Sequence, residues 1–295
     1  MSKEITDENL CAVVVWYNPN EEIAKNILRY NTGVHKVFVI DNSDKNNQSL
    51  LDGLKIENVC YHFIGENKGI AVALNIGFEY ARKCHAEWVL TMDQDSIFEG
   101  ANFENYKKEI INYIDKNEVA IFSIKHDFGN LAEKTVTNLD RYCEKKRVMC
   151  SGNVVSYRAY HQVGGYRDDF FVDWVDFEFC ARIKMANYRI IECTQVILKH
   201  FLGERIIETT FFGAKKYIPD YPLWRKYYLA RNVCITAKIH KSMRYSMYWR
   251  LFQEFKQILL YEHSEKKWGK IRTMFIAICN AGKPVNFIDI KKKYC

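Results

Sequence analysis

Two acidic clusters and one histidine carry most of the chemistry available to this 295-residue sequence. The first cluster is Asp93-Gln94-Asp95, directly after the apolar run Trp88 to Met92. On an extended backbone, residues two apart point the same way, so both carboxylates would face one side. Carboxylates held together repel, and a divalent cation or several hydrogen-bond donors must offset their charge. Asp-x-Asp is also common in solvated turns; its place after a core strand favours a cation site. The second cluster lies in Phe170 to Arg182, where Asp173, Asp176 and Glu178 stand among large apolar side chains that include Trp174. Burial there would raise a carboxylate pKa and make it a better proton acceptor, as a general base requires. A helix cap at Asp173 or Asp176 is the plainer alternative. His200 ends the strand-like stretch Val196 to Lys199 and is either a satisfied core histidine or, given the Asp-x-Asp pair, a metal ligand.

These residues need a frame. Cys11 to Trp16, Lys36 to Ile40, Val59 to Ile64 and Trp88 to Met92 are apolar runs suited to buried strands. Helical spacing separates them at Glu21 to Tyr30 and at Gly69 to Lys83, where Ile70, Ala73, Leu74, Phe78 and Ala81 share a face. That alternation predicts an α/β fold with a mostly parallel central sheet and flanking helices. In such sheets ligands bind beyond the carboxyl ends of the strands. One crevice should then collect Asn18 and Pro19, Asp41 and Asn42, Glu66 and Asn67, and Asp93 with Asp95. Asp41 reads as a turn residue or as an acceptor for a nucleotide's sugar or base. Asn67-Lys68-Gly69 opens a helix whose positive end favours phosphate, or simply caps it.

Further along, 125–147 reads as a polar connection or flap. It is followed by a strand-like segment Val148 to Tyr157, a Gly164-Gly165 turn, a helix from about Asp176 to Asn187, and a strand at Tyr188 to Cys193. From Leu223 onward the pattern is helical, basic and aromatic. Residues 222–295 hold 16 Lys/Arg against 4 Asp/Glu, net +12, whereas residues 1–221 hold 27 against 32, net −5. The expected domains are therefore 1–221, catalytic, and 222–295, a helical region.

With 48% hydrophobic residues, 27% charged, 4 prolines and 14 glycines, the chain is globular, and disordered or collagen-like classes drop out. None of the ten cysteines forms a Cys-x-x-Cys pair, which argues against zinc. The polar start Met1 to Leu10 shows no leader pattern, and no apolar run approaches the ~20 residues of a spanning helix. A cytoplasmic protein with reduced thiols is expected.

In order and spacing the pieces resemble the inverting GT-A glycosyltransferases of family 2, in the branch that includes bacterial polysaccharide rhamnosyltransferases. The resemblance runs from Cys11 to about Lys238. It is carried by Val15 to Asn18, Val39 to Asn42, Glu66 to Gly77, Asp93 to Ser96, Ser151-Gly152-Asn153, Gly164-Gly165-Tyr166, Phe171 to Arg182, His200 with Gly203, and Arg225 to Asn232. It implies that Asp41 contacts the nucleotide and that Asn18, Asn42, Asn67, Gly69, Gln94 and Gly152 belong to the donor site. It also implies that Asp93 and Asp95 hold ribose and a diphosphate-bound Mg2+ or Mn2+, with His200 assisting, and that Asp176 is the base. Val175 stands where the family has an acid, and Asp173, Trp174 and Glu178 are counted with the substrate site. The reaction implied is a single displacement, most simply from dTDP-L-rhamnose or a UDP-sugar, to a glycan or polyprenyl-diphosphate-linked acceptor of a surface polysaccharide.

Arg225, Tyr228 and Arg231 are expected near the donor diphosphate or that acceptor. The basic, aromatic helices from Tyr245 to Tyr261 and Trp268 to Cys279 suit an anionic membrane at the inner face of the plasma membrane, with a homodimer contact as the alternative. A nucleic-acid-binding protein ranks well below the glycosyltransferase, because the −5 front holds an acid-lined crevice. A catalytically silent scaffold is opposed by the complete set of Asp93, Asp95, Asp176 and His200.

Overall fold

The computed structural model describes residues 4–116, 118–128, 140–201, 206–211, 214–261 and 266–294, with backbone alone for 206–219, 288 and 291. Its contacts divide into two units, Met1–Arg167 with Phe179–Phe201, and Asp168–Glu178 with Leu202–Cys295. The charge break at 221/222 falls inside the second unit.

In the first unit the elements run β1 (Leu10–Trp16), α1 (Glu21–Lys25), β2 (Val37–Asp41), α2 (Ser49–Asp52), β3 (Val59–Phe63), α3 (Ile70–Lys83) and β4 (Trp88–Asp93). They continue as β5 (Ser96–Ile97), α4 (Asn102–Asn112), β6 (Val119–Asp127), β7 (Tyr142–Glu144), β8 (Asn153–Ser156), α5 (Tyr157–Val163) and, after α6 (Val175–Met185), whose first residues to Glu178 belong to the second unit, β9 (Arg189–His200). The sheet order is β3-β2-β1-β4-β8-β6-β9-β5, with β7 also on β9. The pairs β1·β2, β2·β3, β1·β4 and β6·β9 are parallel, and β8 runs antiparallel between β4 and β6. All seven residues of β1 are buried, as a strand covered on both faces requires. Helix α3 turns Ala73, Leu74, Phe78 and Ala81 inward.

Several boundaries differ from the expected ones. The helix from Glu21 stops at Lys25 and tightens into a 3-10 turn over Asn26–Arg29, where the Asn26 amide donates to the Gln94 carbonyl (2.9 Å). Of Val148 to Tyr157 only β8 is strand; Gly152, at φ 76°, breaks the extended run before it. The segments at 188–193 and 196–199 form one strand, β9, because the β6·β9 register slips between Ile124 and Lys125. In the expected flap, Lys125 to Asp127 extends β6, Tyr142–Glu144 forms β7, and 129–139 lie outside the described residues.

The second unit holds the hairpin β10 (Ile206–Phe211) and β11 (Ala214–Pro219), then α7 (Leu223–Ile239), α8 (Arg244–Tyr261), α9 (Lys267–Cys279) and α10 (Phe287–Tyr294). Twelve consecutive residues of α7, Lys226 to Ala237, are buried, which makes it the unit's central helix.

Gly77 sets the distance between α3 and the sheet: a Cβ there would sit 2.3 Å from Val13 Cγ1. Gly77→Ala should therefore cost about 1–3 kcal/mol in urea unfolding by overpacking. The same change at exposed Glu79 should leave the midpoint nearly unchanged.

Candidate active site

The sheet itself gathers the first cluster. Parallel register sets Asp41 beside Trp16 and Asp93 beside Val15, at the carboxyl ends of β2 and β4. Two residues on, β5 pairs antiparallel with the end of β9, placing Ser96 opposite His200. Asp93, Asp95 and His200 thereby bring one ligand atom each to within 4.8 Å of one another. A buried hydrogen-bond chain supports them: Asp93 N–H donates to Ser151 Oγ (3.0 Å), Ser151 Oγ donates to Ser96 Oγ (2.7 Å), and Ser96 Oγ lies 2.7 Å from His200 Nδ1. His200 Nδ1 is 3.8 Å from Asp95 Oδ1.

Burial pushes the Asp95 carboxyl above its ordinary range and the His200 imidazole below its own, and each group opposes the shift of the other. Both lean toward their neutral forms. A neutral imidazole is the ligating form, and a divalent cation would restore charge to Asp95. His126 is pushed down to about 4, chiefly by burial with His200 adding to it, while the Ser151 carbonyl opposes. It thus remains neutral, with its ring edge-on to His200 at 5.8 Å.

The neighbouring loops are laced together by the expected donor-site residues. Both oxygens of Asp41 are occupied: Oδ1 accepts from Ser43 N (3.1 Å), and Oδ2 accepts from the Asn47 backbone and side chain (3.1 and 2.9 Å) and from the Tyr61 hydroxyl (2.5 Å). Asp41 is fully buried and holds the turn after β2. Asn42 donates to Asn67 Oδ1 (2.9 Å) and accepts from Lys68 N (2.8 Å). Asn67 in turn accepts from Gly69 N (3.0 Å), and Gly69, at φ 87°, precedes α3. Gln94 pairs with both backbone groups of Tyr17 (2.8 and 3.1 Å), and the exposed Asn18, at φ 48°, donates its N–H to Ser43 Oγ (2.7 Å). A Cβ on Gly152 would lie 2.5 Å from Ile124 Cγ2, so glycine there lets Ser151 reach Asp93. The matched Gly203 lies outside the described residues.

The second acidic cluster belongs to the second unit. Asp173 and Trp174 are both left-handed, at φ 59° and 70°, a conformation costing on the order of 1–3 kcal/mol for a residue with a bulky side chain. The helix begins immediately after them, and the Glu178 amide donates to the Trp174 carbonyl (3.0 Å). Asp173 does not serve as the helix cap; its carboxylate takes a bidentate bond from Arg225, Nε to Oδ2 at 3.0 Å and Nη2 to Oδ1 at 3.1 Å. Asp176 lies in the first turn of α6, partly exposed, where the helix's positive end stabilises negative charge, and it accepts from the Phe177 amide (2.8 Å). Glu178 faces inward to His240 Nε2 (3.1 Å). Tyr228 and Arg231, expected near substrate, are buried at 2% and 3% exposure; Arg231 donates to the Asp169 carbonyl (2.9 Å). Tyr228 and Arg231 are thus buried within α7 and Glu178 within α6.

Sequence reasoning gave no role to Ser96, Ser151, His126, Asn232 or His240. Ser96 and Ser151 lay inside quoted motifs, but a hydroxyl that joins residues 55 positions apart leaves no periodic signal.

This sheet, with an acidic pair and a histidine at its carboxyl edge, is the frame of a nucleotide-sugar-handling transferase. The model of Glycosyl transferase family 2 matches residues 11–172, more than half of the chain, and the protein belongs to that family. It is 30% identical over 250 residues to dTDP-rhamnosyl transferase RfbF of Shigella flexneri, covering 79% of this chain and 81% of the relative. It is 22% identical over 256 residues to the low-salt glycan biosynthesis hexosyltransferase Agl10 of Haloferax volcanii, covering 79% of each. The crystal structure of GalNAc-T7 with UDP, GalNAc and Mn2+ shares the fold, with a TM-score of 0.56 at 12% identity over 77% of this chain; the match spans about half (48%) of that solved chain.

The donor set of Asp93, Asp95 and His200, two carboxylates and an imidazole, suits Mn2+ or Mg2+. Asp95→Asn should abolish Mn2+ binding in a calorimetric titration. In the unaltered protein the affinity should fall as pH is lowered, because the raised Asp95 carboxyl holds its proton in competition with the ion.

Proposed function

We propose that the protein is an inverting rhamnosyltransferase that moves L-rhamnose from dTDP-L-rhamnose to a hydroxyl of a glycan or polyprenyl-diphosphate-linked acceptor. The observation that carries this reading is the likeness to the Shigella flexneri rhamnosyl transferase over four fifths of both chains, together with the Asp93-Asp95-His200 cluster. A cation held by that cluster supplies compensation for charge on the departing nucleoside diphosphate. Asp41 folds the Asn42–Ser43 turn, and with Asn18, Asn67, Gly69 and Gln94 it forms the wall for the nucleotide. Asp176, in the first turn of α6, takes the proton from the acceptor hydroxyl as that oxygen attacks the anomeric carbon, and the C–O bond to the diphosphate breaks on the opposite face. A UDP-hexose is the second choice of donor.

Charge and aromatic content support a place for the reaction. On α8, Tyr245, Tyr248, Trp249, Phe252 and Leu259 are exposed along one stripe, and on α9, Trp268 and Phe275 are exposed. Arg244, Lys256, Lys266 and Arg272 are exposed around them. Like charges oppose a self-contact of this face, whereas an anionic lipid surface complements it, so the enzyme would act as a peripheral protein at the inner face of the plasma membrane. Among the described residues no helix is long and apolar enough to cross a membrane.

In a thermal-shift panel with Mn2+, dTDP-L-rhamnose should stabilise the protein more than UDP- or GDP-sugars, and the transfer product should have the anomeric configuration opposite to the donor's. A retained configuration, or preference for another nucleotide, would overturn the reading. Asp176→Asn should keep donor binding and lose about 10²–10⁴-fold in transfer. Full-length Trp249→Glu, Phe252→Glu protein should sediment with phosphatidylglycerol vesicles far less than the unaltered chain; equal sedimentation would refute the lipid face.

A further inference from the structure

Resting on the reading of Asp176 as base, the contacts of α7 assign a task to the Tyr-Tyr-x-x-Arg-Asn stretch. One face of α7 lines the segment that leads into α6. Arg225 grips the Asp173 carboxylate, Asn232 Nδ2 donates to the carbonyls of Val172 (3.0 Å) and Asp173 (2.9 Å), and His240, at the helix end, meets Glu178 (3.1 Å). Positions 225, 232 and 240 are about two helical turns apart, so they fall on one side of the helix. Asn232 is fully buried, and its side-chain oxygen accepts from Arg231 Nη1 (3.0 Å).

We propose that Asn232 is a positioning residue for the transfer reaction, holding the two carbonyls before Trp174 so that the left-handed pair Asp173–Trp174 delivers Asp176 in one fixed orientation. A primary amide suits this task because it offers two N–H donors to two successive carbonyls. The Arg231 guanidinium binds the amide oxygen and so fixes which end faces the segment. A left-handed tryptophan persists only when its surroundings over-determine it, and here the constraints come from one helix face on both sides of the strained pair. Arg225 adds a second grip through the Asp173 side chain, with its guanidinium stacked over Tyr221 at 4.4 Å. The strain is thus placed with only Val175 between it and Asp176, whose orientation the chemistry needs, and the helix that holds it has no other role in the reaction proposed above.

Asn232→Asp keeps the side chain's volume and replaces both donors by acceptors facing the carbonyls. It should lower kcat by about 30-fold or more, as misplacement by roughly 1 Å does. Donor KM and Mn2+ affinity should stay within about two-fold, because only positioning is lost. Hydrogen exchange should accelerate in the peptide covering 168–178, with the β1–β4 peptides unchanged. Should that variant fail to fold, Arg225→Gln, at a partly exposed position, loosens the same pair from its other side and should give the same split between kcat and KM. Unchanged kcat in a folded variant overturns the proposal, as does a loss of activity that follows thermal unfolding with exchange raised throughout. Transfer that survives in Asp176→Asn overturns the base reading and the proposal with it. Loss in Asp176→Asn beside full activity in Asn232→Asp overturns the proposal alone.

Discussion

Two carboxylates at the end of a buried strand repel, and much of the first unit is arranged to keep them together. Unit charges at the separation seen among Asp93, Asp95 and His200, within 4.8 Å, interact by roughly 3 kcal/mol at an effective dielectric of 20. A flexible turn would relieve that repulsion by letting the side chains part. Here Asp93 is fixed by the β1·β4 ladder and by Ser151, and Asp95 is carried into β5, whose short pairing with the end of β9 delivers His200. The repulsion is therefore retained as affinity for a cation. Burial, rather than that repulsion, raises the Asp95 carboxyl and lowers the His200 imidazole, and the attraction between the two groups opposes both shifts.

Among the described residues of the second unit, buried charges meet in pairs. Lys226 and Glu254 are almost wholly buried and meet at 2.7 Å, and Arg250 joins Glu254 while lying over the Trp174 ring. Breaking such a pair strands a charge in low dielectric, which is costlier than never having made it. Charged and amide groups on a central helix are hard to explain as adhesive, since apolar residues would pack as well. They are explained as register marks, fixing which groups of the 168–178 segment and of α8 meet α7. A uniquely held segment is what a proton acceptor requires.

The parallel part of the sheet was legible because β1 to β4 are continuous apolar runs followed by polar residues, and buried parallel strands have that composition. Strand ends placed Asp93 and Asp95, whereas His200 was tied to them by its chemistry as a ligand and by the family resemblance. Short antiparallel pieces escaped notice: β5 has two residues and β7 three, too few for any periodicity to emerge. α4 and β6 went unassigned although β6 is a plain apolar run. The inward turn of Glu178, Tyr228 and Arg231 was also illegible, because α7 is surrounded on all sides and shows no polar face against which a buried polar residue would stand out. Asp41 was placed correctly at its strand end, while three of its four hydrogen bonds depend on Asn47 and Tyr61, which no motif names.

The family match ends at residue 172, one position before Asp173, and the contact boundary of the second unit opens at Asp168. The match thus ends close to the first crossing between the units, although the first unit resumes over Phe179–Phe201. What lies before it is β1 to β8 with Asp93 and Asp95; β9, which brings His200 to them, returns to the first unit only after α6 has begun. What lies after it is the strained entry to α6, its clamp on α7 and the aromatic helices. Within the second unit, Arg225 and Asn232 of α7 hold the Asp173 carboxylate and the carbonyls of Val172 and Asp173, so this helix fixes the backbone that enters α6.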